Sequence, residues 1–248
     1  LAAAVGVQLI VESPVHTIET NVRGTEVVLH VAAKKRRKVL ITSTSEVYGK
    51  SDRLPFRETD DLTIGPTHLG RWSYACRKAL DEFLGLAYWN EKKLPVVIAR
   101  LFNTVGPRQT GRYGMVVPRF VGQALTGEPL TVYGDGLQQR CFAFVDDVVG
   151  AMIELMDNPA SVGEVYNIGG GRGSNCSMLE AIALCQEISG RELDVTYKDE
   201  NRIGDHIWYI SDVRRFESQY PDWSFEYDLR QTLEAIFEDW RERLGPAR

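Results

Sequence analysis

Two short apolar runs rich in β-branched residues, Val-Leu-Ile-Thr-Ser-Thr at 39–44 and Pro-Val-Val-Ile-Ala at 95–99, flank a long amphipathic stretch at 74–89. Runs of this length and texture suit strands buried on both faces, unlike the alternating pattern of a half-wet sheet. The stretch between them carries Leu80, Phe83, Leu84 and Ala87 at helical spacing. Strand, helix, strand in that order predicts parallel strands joined by a crossover helix, the unit of an α/β fold. Helical spacing over 25–33 precedes the first run, so the alternation already holds upstream of it.

Beyond Gly106 the texture changes. Glycine and proline become frequent and a strand-like piece at 130–133 sits among loops. Asp146 is placed to cap a helix reaching Asp157. Ser177 and Glu180 have capping-box spacing for a helix ending near Gly190, and residues 228–244 read as a final helix. The fold expected is a Rossmann-like parallel sheet over residues 1–105, with a smaller α+β lobe over 106–248 that returns some segments to the first unit.

Composition narrows the partners. The 248 residues are 44% hydrophobic and 25% charged, enough for one sizeable core or a core plus a lobe. A formal net charge of −5 disfavours nucleic acid as a partner. The basic run 34–38 follows a helical stretch and reads as a solvated helix end, where cations complement the helix dipole. No apolar run nears the ~20 residues that span a bilayer, and the apolar start lacks the basic region of a signal peptide. A cytoplasmic protein without membrane contact is expected. Cys76, Cys141, Cys176 and Cys185 lack CxxC spacing and the four histidines lack HExxH spacing, so no metal site is expected and the thiols read as reduced and at least partly buried.

Two segments carry chemistry. Ile41-Thr42-Ser43-Thr44-Ser45-Glu46-Val47-Tyr48-Gly49 puts hydroxyls and a carboxylate at the C-terminal end of a buried strand, the edge where open α/β sheets hold ligands. Tyr74-Ala75-Cys76-Arg77-Lys78 places Tyr74 and Lys78 on one helix face. An ammonium near a phenol favours the phenolate, so the Tyr74 pKa is expected to move down, towards use in proton transfer. The same spacing recurs at Tyr88 and Lys92, at the far end of the helix, and only the first pair follows closely on the Thr44 strand end.

These segments, followed by Arg100-Leu101-Phe102-Asn103-Thr104-Val105-Gly106-Pro107-Arg108, resemble the extended short-chain dehydrogenase/reductase family of NAD-dependent nucleotide-sugar epimerases, decarboxylases and dehydratases. The resemblance runs over essentially the whole chain. It implies that Thr44 hydrogen-bonds the sugar hydroxyl under oxidation, that Tyr74 removes its proton, and that Lys78 holds the nicotinamide ribose. Ser45 and Glu46 complete the implied catalytic set. Leu1, Ala2, Ala3, Asn21 and Thr42, with Tyr74 and Lys78, match positions lining the NAD site. Asn103, Thr131, Tyr133, Arg140, Arg202 and Asp205 match contacts to the nucleotide-sugar. A homodimer through the Tyr74 helix and the helix before it is implied too.

Such proteins open on a glycine-rich pyrophosphate turn, and the first half of the dinucleotide sheet lies outside this sequence, as expected of a fragment. The run Gly169-Gly170-Gly171 fails the GxGxxG spacing and reads as a tight turn. The Thr44-Ser45-Glu46 triplet resembles UDP-glucuronate decarboxylases, whereas 171–177 and 201–208 resemble CDP-paratose 2-epimerases, as in a mosaic of two branches. The leading expectation is a UDP-sugar 4-epimerase-like enzyme working through a keto-sugar. UDP-glucuronate decarboxylation, CDP-sugar 2-epimerisation and a non-catalytic nucleotide-sugar-binding fragment stand behind it.

Overall fold

The computed structural model describes residues 14–70, 72–110, 115–198 and 208–245, and the structural statements below concern these. The chain begins with α1 (Pro14–Lys35), β1 (Val39–Thr44), a 3-10 turn (Ser45–Tyr48), α2 (Trp72–Lys92) and β2 (Val96–Leu101). β1 and β2 are parallel, with Val39 opposite Val96 and Thr44 opposite Leu101. β3 (Asn103–Val105), α3 (Val116–Thr126), β4 (Leu130–Tyr133), β5 (Gln139–Phe144) and α4 (Val145–Asp157) follow. β6 (Val165–Ile168) then returns to the first sheet, parallel to β2, giving the order β1-β2-β6.

β2 is the central strand of that sheet, which is why its sequence is apolar without alternation. Val96 and Ile98 pack with Leu29, Ile41 and Leu94 towards α1 and α2, while Val97 and Ala99 pack with Val148, Ala151, Leu155 and Tyr166 towards α4. All four of these β2 residues are 0% exposed. At roughly 25 cal/mol per Å² of buried apolar surface, such a strand anchors both helical layers.

The remaining strands form two smaller sheets. β5 pairs in parallel with β3, antiparallel with β7 (Asn175–Ser177), and in parallel with β9 (Trp208–Tyr209). β4 pairs in parallel with β8 (Val195–Lys198). Around them α3, α5 (Met178–Ser189) and α7 (Leu229–Leu244) enclose a core of Phe120, Leu130, Val132, Ile182, Leu233 and Phe237. The short α6 (Arg214–Gln219) contributes Phe216 to the core of the first sheet.

Ser177 and Glu180 form the expected capping box, α5 ends on left-handed Gly190, and Asp228 with Gln231 caps α7 in the same manner. Three expectations need correction. Asp146 does not cap α4, whose N-cap is Phe144 without a side-chain bond. The neighbouring Asp147 carboxylate instead accepts the backbone N–H groups of Glu226 and Tyr227 at 3.0 and 3.3 Å. The basic run is not wholly solvated: Lys38 Nζ donates to the carbonyls of Leu155, Met156 and Asn158 at 2.7–2.8 Å, satisfying the C-terminal end of α4. Of the four free cysteines three are buried, and Cys76 is exposed.

Candidate active site

The strand end and the helix start meet. Thr44, the last residue of β1, caps the 3-10 turn by accepting the Glu46 backbone N–H at 3.3 Å, and its hydroxyl lies near enough to Tyr74 to lower the phenol's pKa. Gly49 closes that turn at φ 61°, where a Cβ would lie 2.1 Å from the Thr63 carbonyl oxygen, so the turn requires glycine. Lys78, one turn after Tyr74, donates from Nζ to the Thr42 carbonyl at 2.6 Å. Thr42, Thr44, Tyr74 and Lys78 are thus gathered at one edge of the sheet, with buried Ser45 and half-buried Glu46 next along the turn.

The electrostatics differ from expectation in one respect. Burial holds the Tyr74 phenol above its ordinary pKa. The Arg77 guanidinium and the Thr44 hydroxyl oppose this, while Glu46 and Asp81 add to it. The cation acting on the phenol is therefore Arg77, because the Lys78 ammonium is turned to the Thr42 carbonyl. Lys78 itself is brought down from 10.5 to about 8, first by burial and then by Arg77, against the pull of Asp81 and Glu82.

A buried polar network behind the site carries residues the sequence reading missed. Glu82, one further turn along α2, receives Arg100 at both carboxylate oxygens, with distances of 3.1 and 3.2 Å from Nε and 2.8 Å from Nη2. Ser43 on β1 also donates to Glu82. Arg100 Nη1 donates to the Tyr48 hydroxyl at 3.0 Å, and Tyr48 donates to Asn167 Oδ1 at 2.7 Å. Asn167 in turn donates to the Phe56 carbonyl at 2.9 Å and, from its backbone, to the Glu58 carboxylate at 2.8 Å. This chain of bonds ties α2, β1, β2, β6 and the 3-10 turn together, and so fixes the helix bearing Tyr74 against the strand bearing Thr44. A charge inside the apolar run of β2 was the available signal, since buried arginine needs a full set of acceptors.

The other expected residues scatter more widely. Asn21 is buried on α1. Asn103, opposite Phe142 in the β3–β5 pair, donates from Nδ2 to the Cys141 carbonyl at 3.3 Å. Arg140 Nη1 donates to the Gln139 carbonyl at 2.8 Å. Thr131 and Tyr133 face away from the core that takes Leu130 and Val132, and Lys198 Nζ lies 5.6 Å from the Tyr133 ring centroid. Leu1, Ala2, Ala3, Arg202 and Asp205 lie outside the described residues. A cavity of about 590 Å³, lined by Gly170, Asp212, Arg214, Phe225 and Tyr227 among others, contains none of the expected residues.

For a dinucleotide the donor set fits at one end. Tyr74, Lys78 and Thr44 offer a hydroxyl-rich, cationic edge suited to a ribose and a reacting carbinol. The glycine run does not offer a phosphate cradle, because a Cβ on Gly170 would fall 1.8 Å from the Phe142 carbonyl oxygen. Its glycines permit close packing against β5. Among the described residues there is no group of acidic, cysteine or histidine side chains placed to hold a metal ion, and no helix long and apolar enough to cross a membrane.

The model of the NAD dependent epimerase/dehydratase family matches residues 1–169, the stretch that contains Thr44, Tyr74 and Lys78. The chain belongs to this family. It is 49% identical over 170 residues to the UDP-N-acetyl-alpha-D-glucosaminuronate decarboxylase of Bacillus cytotoxicus, covering 68% of this chain and 52% of that protein. It is 37% identical over 232 residues to UDP-glucuronic acid decarboxylase 2 of Arabidopsis thaliana, covering 94% of this chain and 51% of that protein. The chain thus spans about half the length of these curated relatives. Among solved structures it resembles UDP-glucose 4-epimerase of Thermotoga maritima, with a TM-score of 0.88 and 29% identity over 99% of this chain and 77% of that one. It also resembles the UDP-glucuronic acid 4-epimerase of Bacillus cereus in complex with UDP-glucuronic acid and NAD, with a TM-score of 0.85 and 27% identity over 98% of this chain and 74% of that one.

Proposed function

We propose that this chain supplies the catalytic edge of an NAD-dependent enzyme that oxidises C4 of a UDP-hexuronic acid and decarboxylates the keto-sugar. The observation that carries the proposal is the gathering of Tyr74 and Thr44 at the strand end, with Lys78 one turn on and bonded to the Thr42 carbonyl, and Ser45-Glu46 next along the turn. The decarboxylases among the relatives favour this reaction over the 4-epimerase expected from sequence.

When bound, NAD⁺ supplies a reversible hydride acceptor. Tyr74 Oη accepts the C4 hydroxyl proton while the Thr44 hydroxyl orients that group. Lys78, with Asn21 and Leu1, Ala2 and Ala3, holds the nicotinamide-ribose end. The C4 ketone stands β to the sugar carboxylate, so carbon dioxide leaves with its bonding electrons delocalised onto the ketone. Ser45 and Glu46 face the departing carboxylate and return a proton to C5. Tyr74 then gives back its proton as the ketone is reduced. Asn103, Thr131, Tyr133, Arg140, Arg202 and Asp205 hold the nucleotide, with Arg140 and Arg202 matched to the diphosphate by their forked donors. A second copy of the chain covers α1 and α2, whose Val27, Val28, Leu80 and Phe83 are all at least half exposed.

A second reading, C4 epimerisation, shares the oxidation and is favoured by the Thermotoga maritima epimerase likeness. Incubation with UDP-glucuronate and NAD⁺ separates the two. A UDP-pentose with released carbon dioxide supports decarboxylation, and UDP-galacturonate without carbon dioxide supports epimerisation.

A further inference from the structure

In Tyr74-Ala75-Cys76-Arg77-Lys78 attention falls on the first and last residues, yet the structure gives Arg77 the closer hold on the phenol. Its guanidinium carbon lies 5.1 Å from the Tyr74 ring centroid. Nη1 donates to Asp81 at 3.3 Å, and the side chain is only 4% exposed. Among the described residues Nε and Nη2 have no hydrogen-bond partner.

Keeping a full charge in that position is unfavourable, because two donor nitrogens have lost water without gaining an acceptor among the described residues. Neutralising Asp81 does not account for it. Asp81 already lies 3.9 Å from Lys78 Nζ, and both Thr25 of α1 and Lys78 help to lower its pKa. What the position does provide is a cation over an electron-rich ring, in a dry setting where that attraction is strongest and grows when the ring becomes anionic.

We propose that Arg77 is the positioning residue of Tyr74: its guanidinium clamps the phenol ring and favours the phenolate, the part expected of Lys78. The proposal rests on the reading of Tyr74 as the group that accepts the sugar proton. The charged groups facing Tyr74 are Arg77 and Asp81 from α2 and Glu46 from the 3-10 turn, with the Thr44 hydroxyl from β1. Arg77 is the largest of the influences that lower the Tyr74 pKa, and it is also the charge that helps push Lys78 down. One guanidinium thus readies the phenol for ionisation and weakens the hold of the ammonium on its proton.

The test follows the phenol itself by ¹⁹F NMR in the full chain carrying 3-fluorotyrosine, whose more acidic phenol titrates at lower pH than tyrosine. Tyr74 is assigned from Tyr74→Phe. Tyr88, which has Lys92 Nζ 4.4 Å from its ring centroid, serves as a cation–π control that should not move. Arg77→Met should raise the Tyr74 midpoint by about one pH unit, a tenfold change in acid dissociation, and Arg77→Lys should restore most of it. If Arg77→Met does not fold, the double variant Arg77→Met with Asp81→Asn leaves no unpaired carboxylate and should still move the midpoint up, because Asp81 is the weaker influence. A Tyr74 midpoint within about 0.3 unit of the native one, or below it, overturns the proposal. Turnover is not the readout, so a failure of the decarboxylase reading leaves the titration standing, and coincident midpoints overturn the proposal even in an active chain.

Discussion

Lys78→Met offers a test of the site's electrostatics that needs no substrate. The folded chain holds the Lys78 ammonium at a pKa of about 8, against 10.5 for the free side chain. A lysine depressed on folding favours the neutral form. Its charge therefore opposes folding in full below about pH 8, and the cost is relieved as pH rises from there towards the unfolded value. The full shift corresponds to about 3 kcal/mol at 1.36 kcal/mol per unit, of which about 2 kcal/mol is recovered between pH 7 and pH 9.5. The lost hydrogen bond to the Thr42 carbonyl shifts the variant's stability by a nearly constant amount, so the pH dependence of the difference isolates the titration. Urea unfolding of native chain and variant across that range should show the native chain gaining about 2 kcal/mol on Lys78→Met. A stability difference that stays flat with pH would refute the reasoning, since an unperturbed lysine stays charged in both states over most of the range.

Arg100→Met strips the buried Glu82 carboxylate of all three of its guanidinium bonds and should lower stability by about 3–5 kcal/mol in urea unfolding. Adding Glu82→Gln should recover much of that loss, whereas a merely additive loss would argue against the network. Asp228→Ala removes the N-cap of α7 and should cost about 1 kcal/mol by the same assay, with the Tyr74 region unaffected. Phe83→Glu places a charge on an exposed apolar helix face and should convert the dimer proposed here to a monomer in sedimentation equilibrium; an unchanged mass moves the interface elsewhere.

The first sheet was legible because its signals are local and strong. Residues 39–44 and 95–99 are apolar without alternation, and the structure places β1 and β2 there within a residue or two. The capping boxes at Ser177 and Asp228 were legible in part: the first was read, and the Asp228–Gln231 pair emerged only with the structure. Asp146 misled because a cap depends on where the chain enters the helix, and β5 runs straight into α4 with the acceptor role passing to Asp147 across the fold. The Tyr74–Lys78 spacing predicted a shared helix face correctly. It could not reveal that Lys78 turns to the Thr42 carbonyl, 36 residues away, which leaves Arg77 on the same helix to stack on the phenol. The Arg100 network stayed hidden because its members lie on five separate segments, and only the misplaced charge in β2 hinted at it.

The proposed role of Tyr74, placed beside Thr44 at the strand end, is to serve oxidation of a UDP-hexuronic acid. The most direct measurement follows uniformly ¹³C-labelled UDP-glucuronate by NMR with the protein and NAD⁺, beside Tyr74→Phe. A UDP-pentose and labelled carbon dioxide are expected from the native protein and neither from the variant. UDP-pentose formation by Tyr74→Phe at the native rate would contradict it.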